Sequence, residues 1–130
     1  MFKYIVLLIV SLGLVACDDS ATQQVPVVSV QEAYQALNQG QAGTSFLFLD
    51  VRTPEEYQSG HVPTAKNIPI QVLSQRLAEV PKDVKVFVYC ESGVRSTKAA
   101  KILHDAGYTN IVNMKASMRG WRHAGLKVER

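Results

Sequence analysis

The sequence predicts an α/β fold, a mainly parallel sheet with helices on both faces. Three apolar runs of strand length, Ser45 to Val51, Val84 to Tyr89 and Asn110 to Met114, show no polar alternation. That is the pattern of strands covered on both faces. Capped segments with helical spacing lie between them, and alternation of the two kinds favours parallel pairing. The third observation is size: 130 residues hold one domain with one real hydrophobic core.

Composition narrows the function classes. At 47% hydrophobic and 19% charged, the chain is not disordered. Two cysteines make no disulfide framework and lack the spacing of a zinc site. The formal charge is +3 and the Lys and Arg residues are scattered without a dense basic run. Nucleic-acid binding therefore has no support.

The elements follow in order. Met1-Phe2-Lys3 and the 13 uncharged, mostly apolar residues Tyr4 to Ala16 read as the n- and h-regions of a secretory signal. The stretch is short for a membrane span, which needs about 20 residues. Its end, Leu14-Val15-Ala16-Cys17, resembles the lipobox of bacterial lipoproteins. That resemblance implies cleavage after residue 16, acylation of Cys17 and stable anchoring through two or more chains. Loss of Lys3 with the signal leaves the mature chain near +2. Asp18 and Asp19 resemble the signal that retains a lipoprotein in the inner membrane. The expected location is the periplasmic side of the inner membrane of a Gram-negative bacterium. Residues 17–26 form the lipidated cysteine and a polar tether, and residues 27–130 the folded domain.

Val27-Val28 is a short apolar pair that opens the β/α series. Ser29 with Glu32 is a capping box for a helix to about Asn38, ended by Gly40 and Gly43. After the run to Val51, Thr53-Pro54-Glu55-Glu56 starts a short helix that stops at Gly60. Val62 to Pro69, with two prolines, Pro63 and Pro69, reads mostly as loop. Val72, Leu73, Leu77 and Val80 have helical spacing, and Pro81-Lys82-Asp83 is a turn. A helix runs from about Val94 to Ala106 with Gly107 after it, and Met118 to His123 is a short final helix.

Chemistry concentrates in Cys90-Glu91-Ser92-Gly93-Val94-Arg95-Ser96, a strand end, a short loop and a helix start. Ligands of open parallel sheets bind beyond the carboxyl ends of the strands. A cysteine there faces unpaired N–H groups and the positive end of a helix dipole. Both favour the thiolate, with pKa values lowered to about 3.5–7.5 in such places. Gly93 permits a backbone nest for an anion, and Arg95 offers a forked donor. A lone accessible thiol in an oxidising compartment also favours a function.

At these residues the chain resembles the rhodanese family of thiosulfate sulfurtransferases, in its single-domain form. Phe48-Leu49-Asp50-Val51-Arg52, Pro54-Glu55-Glu56-Tyr57, Gly60-His61-Val62-Pro63 and Ala65 to Pro69 resemble its first signature. Cys90, Gly93, Arg95 and Ser96 match its active-site pattern, and Trp121 with Gly125 its C-terminal end. The resemblance spans about Val27 to Glu129 and implies the rhodanese-like three-layer fold. It implies that Cys90 takes sulfur from an anionic donor such as thiosulfate, holds it as a persulfide and passes it to a thiol or cyanide. It implies Glu91, Ser92, Gly93, Val94, Arg95 and Ser96 as the substrate-binding loop, no metal and no cofactor. Nothing demands an oligomer, and a monomer is expected. Four residues separate Cys90 from Arg95, where phosphatases of the same general fold have five, so the loop suits a persulfide better than phosphate.

Asp50 and Arg52 are expected as scaffold, a buried pair that supports the loops. His61 is expected to be structural, because the loop favours the thiolate without a base. Trp121 is expected in the core, and His104, His123, Lys98 and Lys101 on solvated helix faces. Two residues depart from the family pattern. Glu91 puts an acid beside the nucleophile, with its side chain expected in solvent. Ala116-Ser117 replaces the usual Gly-Gly, and because non-glycine residues resist φ > 0, the turn before Trp121 is expected to differ. Two other readings compete: a non-catalytic rhodanese-like binding module, and a sulfur carrier loaded by a protein persulfide donor.

Overall fold

The computed structural model describes residues 25–130. The signal segment, Cys17 and most of the tether lie outside the described residues. Within them the chain forms α1 (Val30–Gln39), β1 (Phe46–Asp50), α2 (Pro54–Ser59), β2 (Lys66–Asn67), α3 (Ile70–Leu73), a 3-10 turn (Leu77–Glu79), β3 (Lys85–Tyr89), α4 (Val94–Asp105), β4 (Ile111–Asn113) and α5 (Ser117–His123). The four strands are all parallel, in the order β2-β1-β3-β4. Among the described residues, no helix is long and apolar enough to cross a membrane.

Side chains alternate across the sheet, as strand geometry requires. Val86, Val88 and Cys90 face one core with Ala99, Ala100 and Leu103 of α4 and Leu73 of α3. Phe87 and Tyr89 face the other, with Val30 and Ala33 of α1 and Met118 and Trp121 of α5. Trp121 is fully buried, edge-on to Tyr34 and Phe48, and its indole N–H donates to the Lys127 carbonyl at 2.8 Å. Helices thus cover both faces, as expected.

Local signals set the helix starts. Ser29 accepts a hydrogen bond from the Glu32 N–H at 3.1 Å. Thr53 and Glu56 form a complete capping box at the start of α2.

Three boundaries differ from expectation. Val27 makes a single parallel bridge to Asn113 at the β4 edge rather than a strand. The segment between Val62 and Pro69 contains β2, which pairs with β1. The expected helix around residues 72–80 is split into α3 and the 3-10 turn. The Tyr108 hydroxyl lies 2.8 and 2.7 Å from the carbonyls of Leu77 and Val80, and this tertiary contact holds them out of a continuous helix.

After β1 the chain builds β2 on one side, then β3 and β4 on the other. Strand order therefore reverses between β1 and β3, the position beyond whose carboxyl ends open α/β sheets bind ligands. Asp50 ends β1 and Cys90 follows β3 directly, so the fold brings both sequence motifs to this point.

Candidate active site

Cys90 lies at the floor of a loop that wraps back on itself. Gly93 is left-handed (φ 100°, ψ −9°) and caps α4. Its N–H donates to the Cys90 Sγ at 3.1 Å. A Cβ at this position would meet the Lys115 carbonyl oxygen at 2.4 Å, so both conformation and space require glycine. The Gly93 carbonyl turns the other way and accepts from the hydroxyls of Ser96 (3.1 Å) and Thr97 (2.8 Å). Asn113 of β4 in turn donates to Thr97 at 3.1 Å. Ser96 is thus a strut for the loop, and the N–H side of the loop faces sulfur.

Burial alone would push the Cys90 thiol up. The backbone N–H groups of Ser96 and Gly93, with the hydroxyls of Ser117 and Ser96, outweigh it and bring the thiol below its ordinary value. Cys90 itself is only 1% exposed, a correction to the expected accessible thiol. The loop and the start of α5 close around it. The Met118 N–H donates to the Cys90 carbonyl at 2.9 Å and the Arg119 N–H to the Glu91 carbonyl at 3.0 Å. Ser92 and Val94 form the exposed rim.

Ser117 is the residue that motif reasoning left out of the site. Its Oγ accepts from the Cys90 N–H at 3.1 Å, lies 3.1 Å from the Met114 carbonyl as donor, and stands 3.7 Å from Cys90 Sγ. It adopts φ 58°, whereas Ala116 is right-handed at φ −62°. Of the two positions where glycine is usual, only the second takes positive φ, and Ser117 adopts it. The departure at Gly-Gly was the signal that could have pointed to it.

The charged residues are paired with each other. Arg95 does not present a free fork: it donates to both carboxylate oxygens of Glu56, at 2.6 and 2.9 Å, joining α4 to α2. Glu91 does not point to solvent. Its carboxylate is hydrogen-bonded to Arg122 of α5 and lies 3.6 Å from Arg52 Nη1, because α5 runs beside the loop and brings a cation to it. Glu91 is therefore balanced rather than left as a lone negative charge beside the sulfur.

Asp50 and Arg52 are buried and bidentate, with Nε and Nη2 of Arg52 on the carboxylate at 2.7–3.1 Å. Nη2 also donates to the Gly60 carbonyl at 2.7 Å. Asn67 of β2 donates to the carbonyls of Asp50 and Arg52, at 3.0 and 2.9 Å. The pair ties the end of β1 to its neighbouring loops. His61 stacks on Tyr57 at 3.8 Å and its Nδ1 lies 2.9 Å from the Tyr57 carbonyl, a packing role. His104, His123, Lys98 and Lys101 are exposed.

The comparisons with known proteins agree with this geometry. The family model for the rhodanese-like domain matches residues 29–124. A sulfurtransferase of Allochromatium vinosum is 36% identical over 95 residues, covering 72% of this chain and 89% of that protein. The thiosulfate sulfurtransferase PspE of Escherichia coli is 46% identical over 68 residues, 51% of this chain and 65% of that one. The crystal structure of a rhodanese-related protein from Thermoplasma volcanium superposes with a TM-score of 0.71 at 28% identity, covering 80% of this chain and 97% of that one. With this match over most of its length, the parallel sheet and the cysteine loop at its switch point, the chain belongs to the rhodanese-like domain family.

Proposed function

We propose that this protein is a sulfurtransferase that moves sulfane sulfur from thiosulfate, or a similar anionic donor, to a thiol or cyanide through a persulfide on Cys90. The observation that carries the reading is the Gly93 N–H at 3.1 Å from a sulfur set at the start of α4. Backbone donors there stabilise a thiolate before reaction and a persulfide after it.

The Cys90 thiolate attacks the outer sulfur of thiosulfate. The S–S bond of the donor breaks, and sulfite leaves with the electron pair. The new sulfur sits about 2 Å beyond Cys90 Sγ, toward the rim formed by Ser92 and Val94. A cyanide or thiolate acceptor attacks that outer sulfur, the persulfide S–S bond breaks, and the Cys90 thiolate returns. Glu91, Ser92, Gly93, Val94, Arg95 and Ser96 form the binding loop, chiefly through its backbone. Asp50 and Arg52 hold the loops around it.

The test is thiocyanate formation from thiosulfate and cyanide. Parallel double-reciprocal plots are expected for a two-step covalent scheme, with complete loss in Cys90→Ser. Activity that survived the substitution would end the mechanism.

For location, we infer a lipid anchor at Cys17 on the periplasmic side of the inner membrane, supported by the hydrophobic segment ending at Cys17 and by Asp18-Asp19. Metabolic labelling with a fatty acid should mark the full chain and not Cys17→Ala; equal labelling of both would contradict it.

A further inference from the structure

A serine holds a left-handed conformation directly beneath the nucleophile. Ser117 is fully buried, at φ 58°, where a side chain is ordinarily disfavoured. Glycine would take the same backbone without that cost. What the side chain adds is one hydroxyl, and every group it meets belongs to the cysteine loop or to the turn that closes over it. The Cys90 N–H donates to it at 3.1 Å, the Met114 carbonyl lies 3.1 Å away, and Cys90 Sγ lies 3.7 Å away. A hydroxyl has one proton to donate and lone pairs to accept with. The Cys90 N–H occupies a lone pair, so the proton has two destinations, the carbonyl of Met114 or the sulfur of Cys90.

We propose that Ser117 is a positioning residue for Cys90, its hydroxyl turning from the Met114 carbonyl to the Cys90 sulfur as negative charge develops there. While Cys90 is a neutral thiol, the carbonyl is the better acceptor. Once Cys90 is a thiolate, the charged sulfur is, because hydrogen bonds to charged partners are the stronger ones. Each return of the thiolate in the sulfur-transfer cycle would meet this donor. The inference deepens the sulfurtransferase reading and rests on it for the reaction, although the effect on the thiol can be measured without it.

The charged groups around the sulfur do not take this role. Arg95 of α4 is paired with Glu56 of α2, Arg52 with Asp50 at the end of β1, and Glu91 of the loop with Arg122 of α5. Lys115 meets Gly93 through its backbone carbonyl and side-chain stem. Two hydroxyls act on the sulfur, and that of Ser96 donates to the Gly93 carbonyl at 3.1 Å, which leaves Ser117, at 3.7 Å from Cys90 Sγ, as the one whose alternative acceptor is the Met114 carbonyl.

The experiment is the pH dependence of Cys90 alkylation by iodoacetamide in the full chain carrying Cys17→Ser, compared with the same chain carrying Ser117→Gly or Ser117→Ala. Both variants should move the midpoint up by about one pH unit, with alkylation about tenfold slower well below it. Ser117→Gly relieves the backbone, which offsets part of the cost of the unpaired Cys90 N–H, and melting curves of each variant separate the effect from loss of folding. If Ser117→Gly keeps the parent's midpoint, Ser117 is only a turn residue and the proposal fails. Thiosulfate uptake by the parent is followed in parallel by mass. Its absence would overturn the sulfurtransferase reading, while the midpoints would still decide the role of Ser117.

Discussion

Arg95 donates to both carboxylate oxygens of Glu56, at 2.6 and 2.9 Å, and the same carboxylate accepts the Thr53 N–H that caps α2. One acid therefore fixes a helix start and ties it to the first turn of the helix that follows Cys90. The cation that sequence assigns to an anionic donor is a cross-brace in the resting site.

This brace predicts a pH dependence. The Arg95 hydrogen bond is the main cause that lowers the Glu56 carboxyl from 4.5 to about 2. The folded value lies below the unfolded one, so the stabilisation is fully present above pH 4.5 and is lost as pH falls towards 2. The groups are partly exposed, so the gain is discounted to about 1 kcal/mol. Glu56→Gln should be less stable than wild type by about that amount at pH 7 in urea unfolding, with the gap closing towards pH 2. A gap independent of pH would assign the effect to packing instead.

The Asp50–Arg52 pair predicts a larger effect. Removing one partner leaves a buried charge without compensation, at about 3–5 kcal/mol. Asp50→Ala should lose stability on that scale in chemical denaturation. An Asp50→Asn, Arg52→Met double variant should recover part of it, because neither charge is left alone.

Gly93→Ala should disable the loop. Its left-handed backbone adds about 1–3 kcal/mol of strain for a non-glycine residue, and the new Cβ has no room beside the Lys115 carbonyl at 2.4 Å. Lower melting temperature and loss of persulfide formation are expected together. Full activity would show that the loop's backbone geometry does not matter.

Arg122→Ala should expose the charge of Glu91 beside the nucleophile. Persulfide formation from anionic thiosulfate should fall more than alkylation by neutral iodoacetamide. Equal effects on both reagents would mean that the Glu91–Arg122 contact acts on loop shape and not on charge.

Much of this arrangement was legible in the sequence, for local reasons. Continuous apolar runs marked β1, β3 and β4, and Ser29 and Thr53 marked helix starts through contacts three residues away. The Cys90 loop was legible because strand, glycine and helix are contiguous. What was missed depends on distant partners. β2 is two residues long and exists by pairing with β1, and the break after α3 depends on Tyr108, about thirty residues on. Glu91 was visible as an acid, but its partner Arg122 is 31 residues away. Ser117 was visible as a departure from glycine, whereas its place beneath Cys90 follows only from the packing of α5 against the loop.

The most direct test is the intact mass of the reduced full chain after incubation with thiosulfate and removal of the excess, beside Cys90→Ser. The account predicts a gain of one sulfur atom on the wild type alone, stripped by cyanide. No gain on a wild type whose Cys90 is reduced and alkylatable, or an equal gain on both chains, would contradict a Cys90 persulfide.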